Sequence, residues 1–199
     1  MVGTAPAYRR NPEAKQELLL DAAATLFADQ GFDNTTTQQI AAAAGVSEGI
    51  LFHHFGSKKG LFSELAHRFA EAAVRATMPA DHKHLTEAFV VNSAFDFAEQ
   101  NAPLYSLFSS NTADISGENF HTHSEVLINA ISQNLTIAMQ HGEIRKGNPH
   151  IMAQLQFAIV DAAYRAWRDS GKTELRQAYI DEAIASMRAM GKPIEVKSS

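Results

Sequence analysis

Apolar residues recur along this chain three and four positions apart, and no stretch alternates apolar with polar in the manner of a strand. That pattern predicts an all-α protein. The first helix spans about Pro12 to Asp29. Its Leu19, Leu20, Ala23, Leu26 and Phe27 share one face, and Gly31 follows in the position where a left-handed cap is common. Two short helices follow, about Thr37 to Ala44 and about Glu48 to Phe55, separated by Gly45. A fourth begins at Lys58 behind Ser57, buries Leu61, Phe62, Leu65 and Phe69, and stops at Met78-Pro79. Pro79 to His84 is polar and turn-like, which places a domain boundary there. Beyond it the expected helices are about Leu85 to Gln100, Pro103 to Ser110, Thr122 to His141, Pro149 to Asp169 and Thr173 to Met190, with Asn111 to Phe120 as a loop.

Residues 35–58 read TTTQQIAAAAGVSEGILFHHFGSK. Thr36 and Gln39 have capping-box spacing, and Ser47 stands where the N-cap of the next helix belongs, with Val46 and Leu51 at the positions of a hydrophobic staple. A helix, a short turn with glycine and a second helix form a pair that can lay its second member in the major groove of DNA. Ile40, Ala41, Ala44, Val46, Leu51 and Phe55 pack the pair against the first helix. Thr37, Gln38, Glu48, Gly49, Ile50, Phe52, His53, His54 and Lys58 are left outward or at the rim.

From Leu19 to Leu61 the sequence resembles the DNA-binding domain of TetR-family repressors. The resemblance rests on Ala23-x-x-Leu26-Phe27, Gly31-Phe32, Thr35-Thr36, Ile40-Ala41, Ala44-Gly45-Val46-Ser47, Phe52-His53-His54-Phe55 and Ser57-Lys58. It implies DNA contacts from Thr37 and Gln38, from Ser47, Glu48, Gly49 and Ile50 at the start of the recognition helix, and from Phe52, His53 and His54. It also implies a phosphate contact from Lys58. Gln38 and Glu48 have a plainer alternative as solvated helix-surface residues, and His53 as rim packing. Phe52 stands where the family usually carries a tyrosine, so that phosphate hydrogen bond is replaced by apolar contact with sugar or a thymine methyl. Arg9, Arg10 and Lys15 form either an arm reaching the duplex or a solvated tail.

Charge alters this picture. The 199 residues carry a formal net charge of −5, and residues 1–75 hold 7 Lys and Arg against 8 Asp and Glu, a net of −1. There is no bulk positive field, so any DNA binding comes from a local surface. There is no cysteine, which excludes disulfides, thiolate metal sites and a cysteine nucleophile. His82/His84 and His121/His123 are the only metal-like spacings, and neither has a supporting motif, so no metal and no cofactor are expected. No nucleophile elbow, Walker loop or dinucleotide fingerprint occurs, so an enzyme is not expected. No signal-peptide core or membrane-length apolar run is present, and a cytoplasmic protein with no membrane partner is the expectation.

In the C-terminal half the resemblance weakens after about residue 70, although GEIRKGNP at 142–149 is similar to a turn between two late helices of the family. It implies a ligand-binding and dimerisation bundle over 79–199, in which the last two helices meet their copies. The residues expected at that contact are Ile151, Leu155, Ile159, Ala162, Ala166, Ile180 and Ile184; the alternative is an intramolecular core, and the two need not exclude each other. Phe89, Phe97, Tyr105, Phe108, Phe120, Met139, Phe157, Tyr164 and Trp167 are candidates to line a pocket for a small, mostly apolar effector. An aromatic and methionine set of this kind also makes ordinary core. The function implied is a homodimeric transcriptional regulator, a repressor on a palindromic operator. The competing reading is a dimeric helical interaction module that does not bind DNA.

Overall fold

The computed structural model describes residues 12–78, 86–109 and 121–192, and all regular structure among them is helical. The helices are α1 (Pro12–Gln30), α2 (Thr37–Ala43), α3 (Glu48–Phe55), α4 (Lys58–Thr77), α5 (Glu87–Gln100), α6 (Ala102–Ser109), α7 (His121–His141), α8 (Pro149–Ser170) and α9 (Arg176–Gly191), the last entered through a 3₁₀ turn at Thr173–Leu175. Helix ends fall within a few residues of those the sequence predicts. Phe120, His82 and His84, with Arg9 and Arg10, lie outside the described residues, as do the side chains of His121 and His123.

The division into compact units is not a single cut near residue 79. One unit holds α1 to α3, α4 up to Phe69, and α6; the other holds α4 from Ala70, α5, α7 from Ser124, α8 and α9. Helix α6 belongs with the first because its Phe108, 2% exposed, is packed on Phe62 and Phe69, with ring centroids 5.2 Å apart in both pairs. Phe27, Phe32 and Phe62 complete this aromatic core, at 5.0 to 5.6 Å from one another. Offset and edge contacts between rings stabilise such a cluster beyond the area it buries. Arg68 of α4 is hydrogen-bonded to Glu17 of α1 and to Glu64 one turn earlier. The Glu17 contact, offset in part by burial, raises the guanidinium above its ordinary pKa.

In the second unit Phe95 of α5 stands edge-on to Tyr164 of α8, at 5.4 Å, and tilted to Trp167, at 5.9 Å. Ile180, Ala183, Ile184 and Met187 of α9 are buried beside this layer. Arg176 lies over the Phe95 and Trp167 rings and donates to Glu99, at 2.7 Å, and Asp96, at 2.5 Å. Asn148 caps α8 through its Oδ1, which accepts from the amides of His150 and Ile151, and Pro149 occupies the first helical turn, where its missing N–H costs nothing. Arg145, in the turn before it, donates from Nε to Met190 O at 2.7 Å, which fixes the α7–α8 connection to the end of α9.

Candidate nucleic-acid interface

The α2–α3 pair is built by local rules. Thr36 caps α2: the Gln39 amide donates to its hydroxyl, and the Gln39 side chain accepts from the Thr36 amide at 2.8 Å. Gly45 closes α2 at φ +66°, a left-handed conformation in which a Cβ is strained. Three residues later α3 begins. Ile40, Ala41 and Leu51 are buried and hold the pair against α1. Ser47 is the N-cap residue by backbone geometry, but its hydroxyl makes no capping bond.

The outward surface is the one the sequence predicts, with three refinements. Gln38, Ser47, Glu48, Gly49, Phe52 and His53 are exposed, while Thr37, Ile50, His54 and Lys58 are half-buried. The first refinement is that Thr37 Oγ1 donates to Glu48 Oε1 at 2.5 Å, so the two helix starts are tied together by side chains expected to face a duplex independently. The second concerns Phe52. At 47% exposed it is the one large apolar side chain on α3 that folding leaves open, whereas Leu51 beside it is 0% exposed.

The third refinement is Lys58. A lysine in the first turn of a helix works against the helix dipole, so its presence there calls for a partner. Its ammonium donates to Phe32 O at 2.7 Å and Thr35 O at 2.8 Å, and sits 4.2 Å from the centroid of the Phe32 ring. Two of its three protons therefore close the α1–α2 loop onto the start of α4. Neither the Lys58 tie nor the Thr37–Glu48 bond has a signal in spacing or periodicity, because each joins residues 11 to 26 positions apart through one side chain.

Gly49 and Gly60 look alike in sequence and differ in structure. A Cβ on Gly60 would lie 2.0 Å from Phe55 O, whereas one on Gly49 would meet only Ser47 Oγ, at 3.9 Å. Nothing inside the chain needs glycine at 49. Gly49→Ala is expected to stabilise the free protein by about 0.5–1 kcal/mol through helix propensity, read as a higher thermal midpoint, while lowering affinity for any partner that approaches this backbone closely.

The other expected sites divide. Along α8, Ile151 and Leu155 are each 52% exposed, Ala162 and Ala166 are exposed and Ile159 is half-buried, whereas Ile180 and Ile184 of α9, 0% and 8% exposed, are buried in the second unit's own core. Among the expected pocket residues, Phe108 is core of the first unit and Tyr164 and Trp167 are core of the second. Tyr105, Phe97 and Phe157 are half-buried, Met139 packs near Leu135 and Met152, and Phe89 is 37% exposed. An open groove of about 450 Å³ in the second unit is lined by Glu71, Val74, Arg75, Val126, Asn129, Ala130 and Gln133, none of them aromatic. These side chains, from the middle of α7 and the latter part of α4, form no aromatic pattern along the chain. Among the described residues no group of three His, Cys, Asp or Glu gathers as a metal site, and no helix is long and apolar enough to cross a membrane.

Comparison with known proteins agrees with this geometry. Residues 19–65 match the model of bacterial regulatory proteins of the tetR family. The HTH-type transcriptional repressor KstR2 of Mycolicibacterium smegmatis is 40% identical over 67 residues, 34% of this chain and 33% of that protein. The HTH-type transcriptional repressor AcnR of Corynebacterium glutamicum is 38% identical over 55 residues, 28% of this chain and 29% of its own. These matches span about a third of the length of the curated relatives. Over nearly the whole chain the fold is similar to that of solved structures. The fatty acid degradation regulator FadR of Bacillus halodurans superposes with a TM-score of 0.67 at 20% identity, covering 94% of this chain and 98% of that one. A tetR-family transcriptional regulator of Streptomyces coelicolor gives 0.70 at 15% identity, covering 89% and 80%.

Proposed function

We propose that the chain, whose residues 19–65 match the tetR family of bacterial regulatory proteins, is a regulator of that family: a sequence-specific DNA-binding transcriptional regulator acting as a repressor. The observation that carries this reading is the α2–α3 surface. A two-turn helix stands exposed along Glu48, Gly49, Phe52 and His53, held from behind by buried Leu51 and at its start by the Thr37–Glu48 bond. The matched relatives named above are transcriptional repressors, and the residues that match the family model, 19–65, include this surface.

The working unit is a homodimer in the cytoplasm, reading a palindromic operator with two copies of α3. Half-sites one turn of the duplex apart, ~34–36 Å, or a multiple of it, suit such a pair. The strip Ile151, Leu155, Ala158, Ala162 and Ala166 on α8 supports the subunit contact. It follows helical spacing, is exposed, and ends in small residues that let a second helix approach. Leu155→Glu is expected to convert the dimer to monomer in sedimentation while leaving the helical signal of the monomer intact. A dimer that survives the substitution moves the contact elsewhere.

A small, mostly apolar effector held in the second unit releases the DNA by favouring a subunit arrangement whose recognition helices no longer match the half-sites. A coupling of about 1–3 kcal/mol suffices for a 5–150-fold change. The groove between α4 and α7 supports a sensor in this unit, with Val74, Val126 and Ala130 as apolar lining and Asn129, Gln133 and the Glu71–Arg75 pair at 3.7 Å as polar lining.

Selection of binding sites from a random duplex pool tests the reading. Enrichment of an inverted repeat is the expected result. A pool that stays random at low salt leaves the interaction-module reading in its place, a reading favoured by the absence of any Lys or Arg between residues 16 and 57.

A further inference from the structure

We propose that the recognition surface reads the C5-methyl groups of thymines, with Phe52 as the side chain that selects them and Gly49 as the opening that lets the base edge approach. This inference rests on the DNA-binding reading above and names what that surface recognises.

Four observations converge. Phe52 is 47% exposed on a helix that buries its neighbour Leu51 completely, so the fold does not account for a phenyl ring there. Gly49 lies one turn earlier on the same face, and the chain leaves open space around it, with Ser47 Oγ the nearest atom to an added Cβ at 3.9 Å. A bare backbone position beside a projecting ring forms a step into which a flat base edge can slide.

The third observation is what the polar side chains are already doing. Thr37 donates to Glu48, and Gln39 is held by Thr36 and by Gln30 Nε2. Gln38, Ser47 and His53 are the exposed hydrogen-bonding side chains left over. The fourth is charge. With no Lys or Arg from 16 to 57, neither α2 nor α3 offers the bidentate cation that reads guanine O6 and N7. In the major groove, the feature that an apolar side chain distinguishes is the thymine methyl. Ile50, half-buried on the flank of the same surface, adds a second apolar contact at its edge.

The test uses the full chain and the duplex selected as above, with thymines replaced one at a time by deoxyuridine, which removes only the methyl. At one or more positions in each half-site the affinity is expected to fall about fourfold, the equivalent of ~0.8 kcal/mol for one buried methyl-sized group. Phe52→Ala is expected to bind the thymine and deoxyuridine duplexes alike at that position, and Phe52→Leu to keep part of the difference. Because Phe52 is exposed, both variants are expected to fold, which circular dichroism checks; the deoxyuridine series on the unaltered protein decides the matter without them. A selected duplex that binds equally well with every thymine replaced overturns this inference and leaves the regulator reading standing. A deoxyuridine loss that persists undiminished in Phe52→Ala removes Phe52 from the role. Failure to select any duplex sinks the regulator reading, and this inference with it.

Discussion

Gly60→Ala is expected to lower the thermal midpoint by about 6–12 °C. The Cβ it introduces lies 2.0 Å from Phe55 O and 3.2 Å from Phe55 C. Those are backbone atoms at the end of α3, with no flexible side chain to swing aside. The Gly60 amide is also held by Ser57 Oγ at 3.0 Å, which fixes where the first turn of α4 begins. Relief requires the α3–α4 junction to open, and overpacking of this kind costs about 3 kcal/mol, which at ~2–4 °C per kcal/mol for a chain of this length gives the stated range. The junction that opens is the one that aims the recognition helix, so DNA affinity falls in the molecules that remain folded. Thermal unfolding followed by circular dichroism reads the first effect; an unchanged midpoint would show that α3 and α4 are not in fact this close.

Lys58→Met is expected to cost about 2–3 kcal/mol of stability. The substitution keeps most of the aliphatic stem over Phe32 and removes the ammonium, leaving Phe32 O and Thr35 O without their donor. Hydrogen bonds to a charged group contribute about 1.5–3 kcal/mol each where the acceptors are part-buried, with water offsetting some of the loss at a half-exposed lysine. The resemblance assigned Lys58 to a phosphate. The two roles separate by measurement. A purely phosphate-binding lysine lowers affinity for all duplexes, reduces the salt slope by about one unit and leaves the chemical denaturation midpoint where it was. A lysine that closes the α1–α2 loop lowers the midpoint even with no DNA present, and the second outcome is the one expected.

These residues show what the sequence made legible. Helices defined by strong periodicity and punctuated by glycine, proline and caps were readable because each signal is local: Thr36 with Gln39, Pro149 at the start of its helix, and Gly45 after Ala44 lie within one turn of what they control. The outward face of α3 was readable for the same reason, since Leu51 and Glu48 fix its orientation. Contacts made by one side chain across long separations were not. Lys58 reaches back to the loop before α2, and nothing in its neighbours marks it as a tie rather than a free cation.

The C-terminal half was legible as helices and less so as sites. Periodicity marks an apolar face without saying what covers it. Ile151 and Leu155 are left exposed, while Ile180 and Ile184, with equally good spacing, are closed over by the chain's own helices. The aromatic set was ambiguous in the same way. Phe108 fills the core of the first unit and Tyr164 and Trp167 that of the second, whereas the groove on α4 and α7 is lined by aliphatic, amide and charged side chains that composition does not single out.

The claim on which the account depends is that the α2–α3 surface distinguishes one duplex sequence from another. The direct measurement is the affinity of the purified protein, at ~0.15 M salt, for the selected duplex against a scrambled duplex of the same base composition. A ratio of ~10³ or more is expected, the lower end for specific recognition, with its collapse when Gly49 and Phe52 are both replaced. Equal affinity for the two duplexes would contradict it.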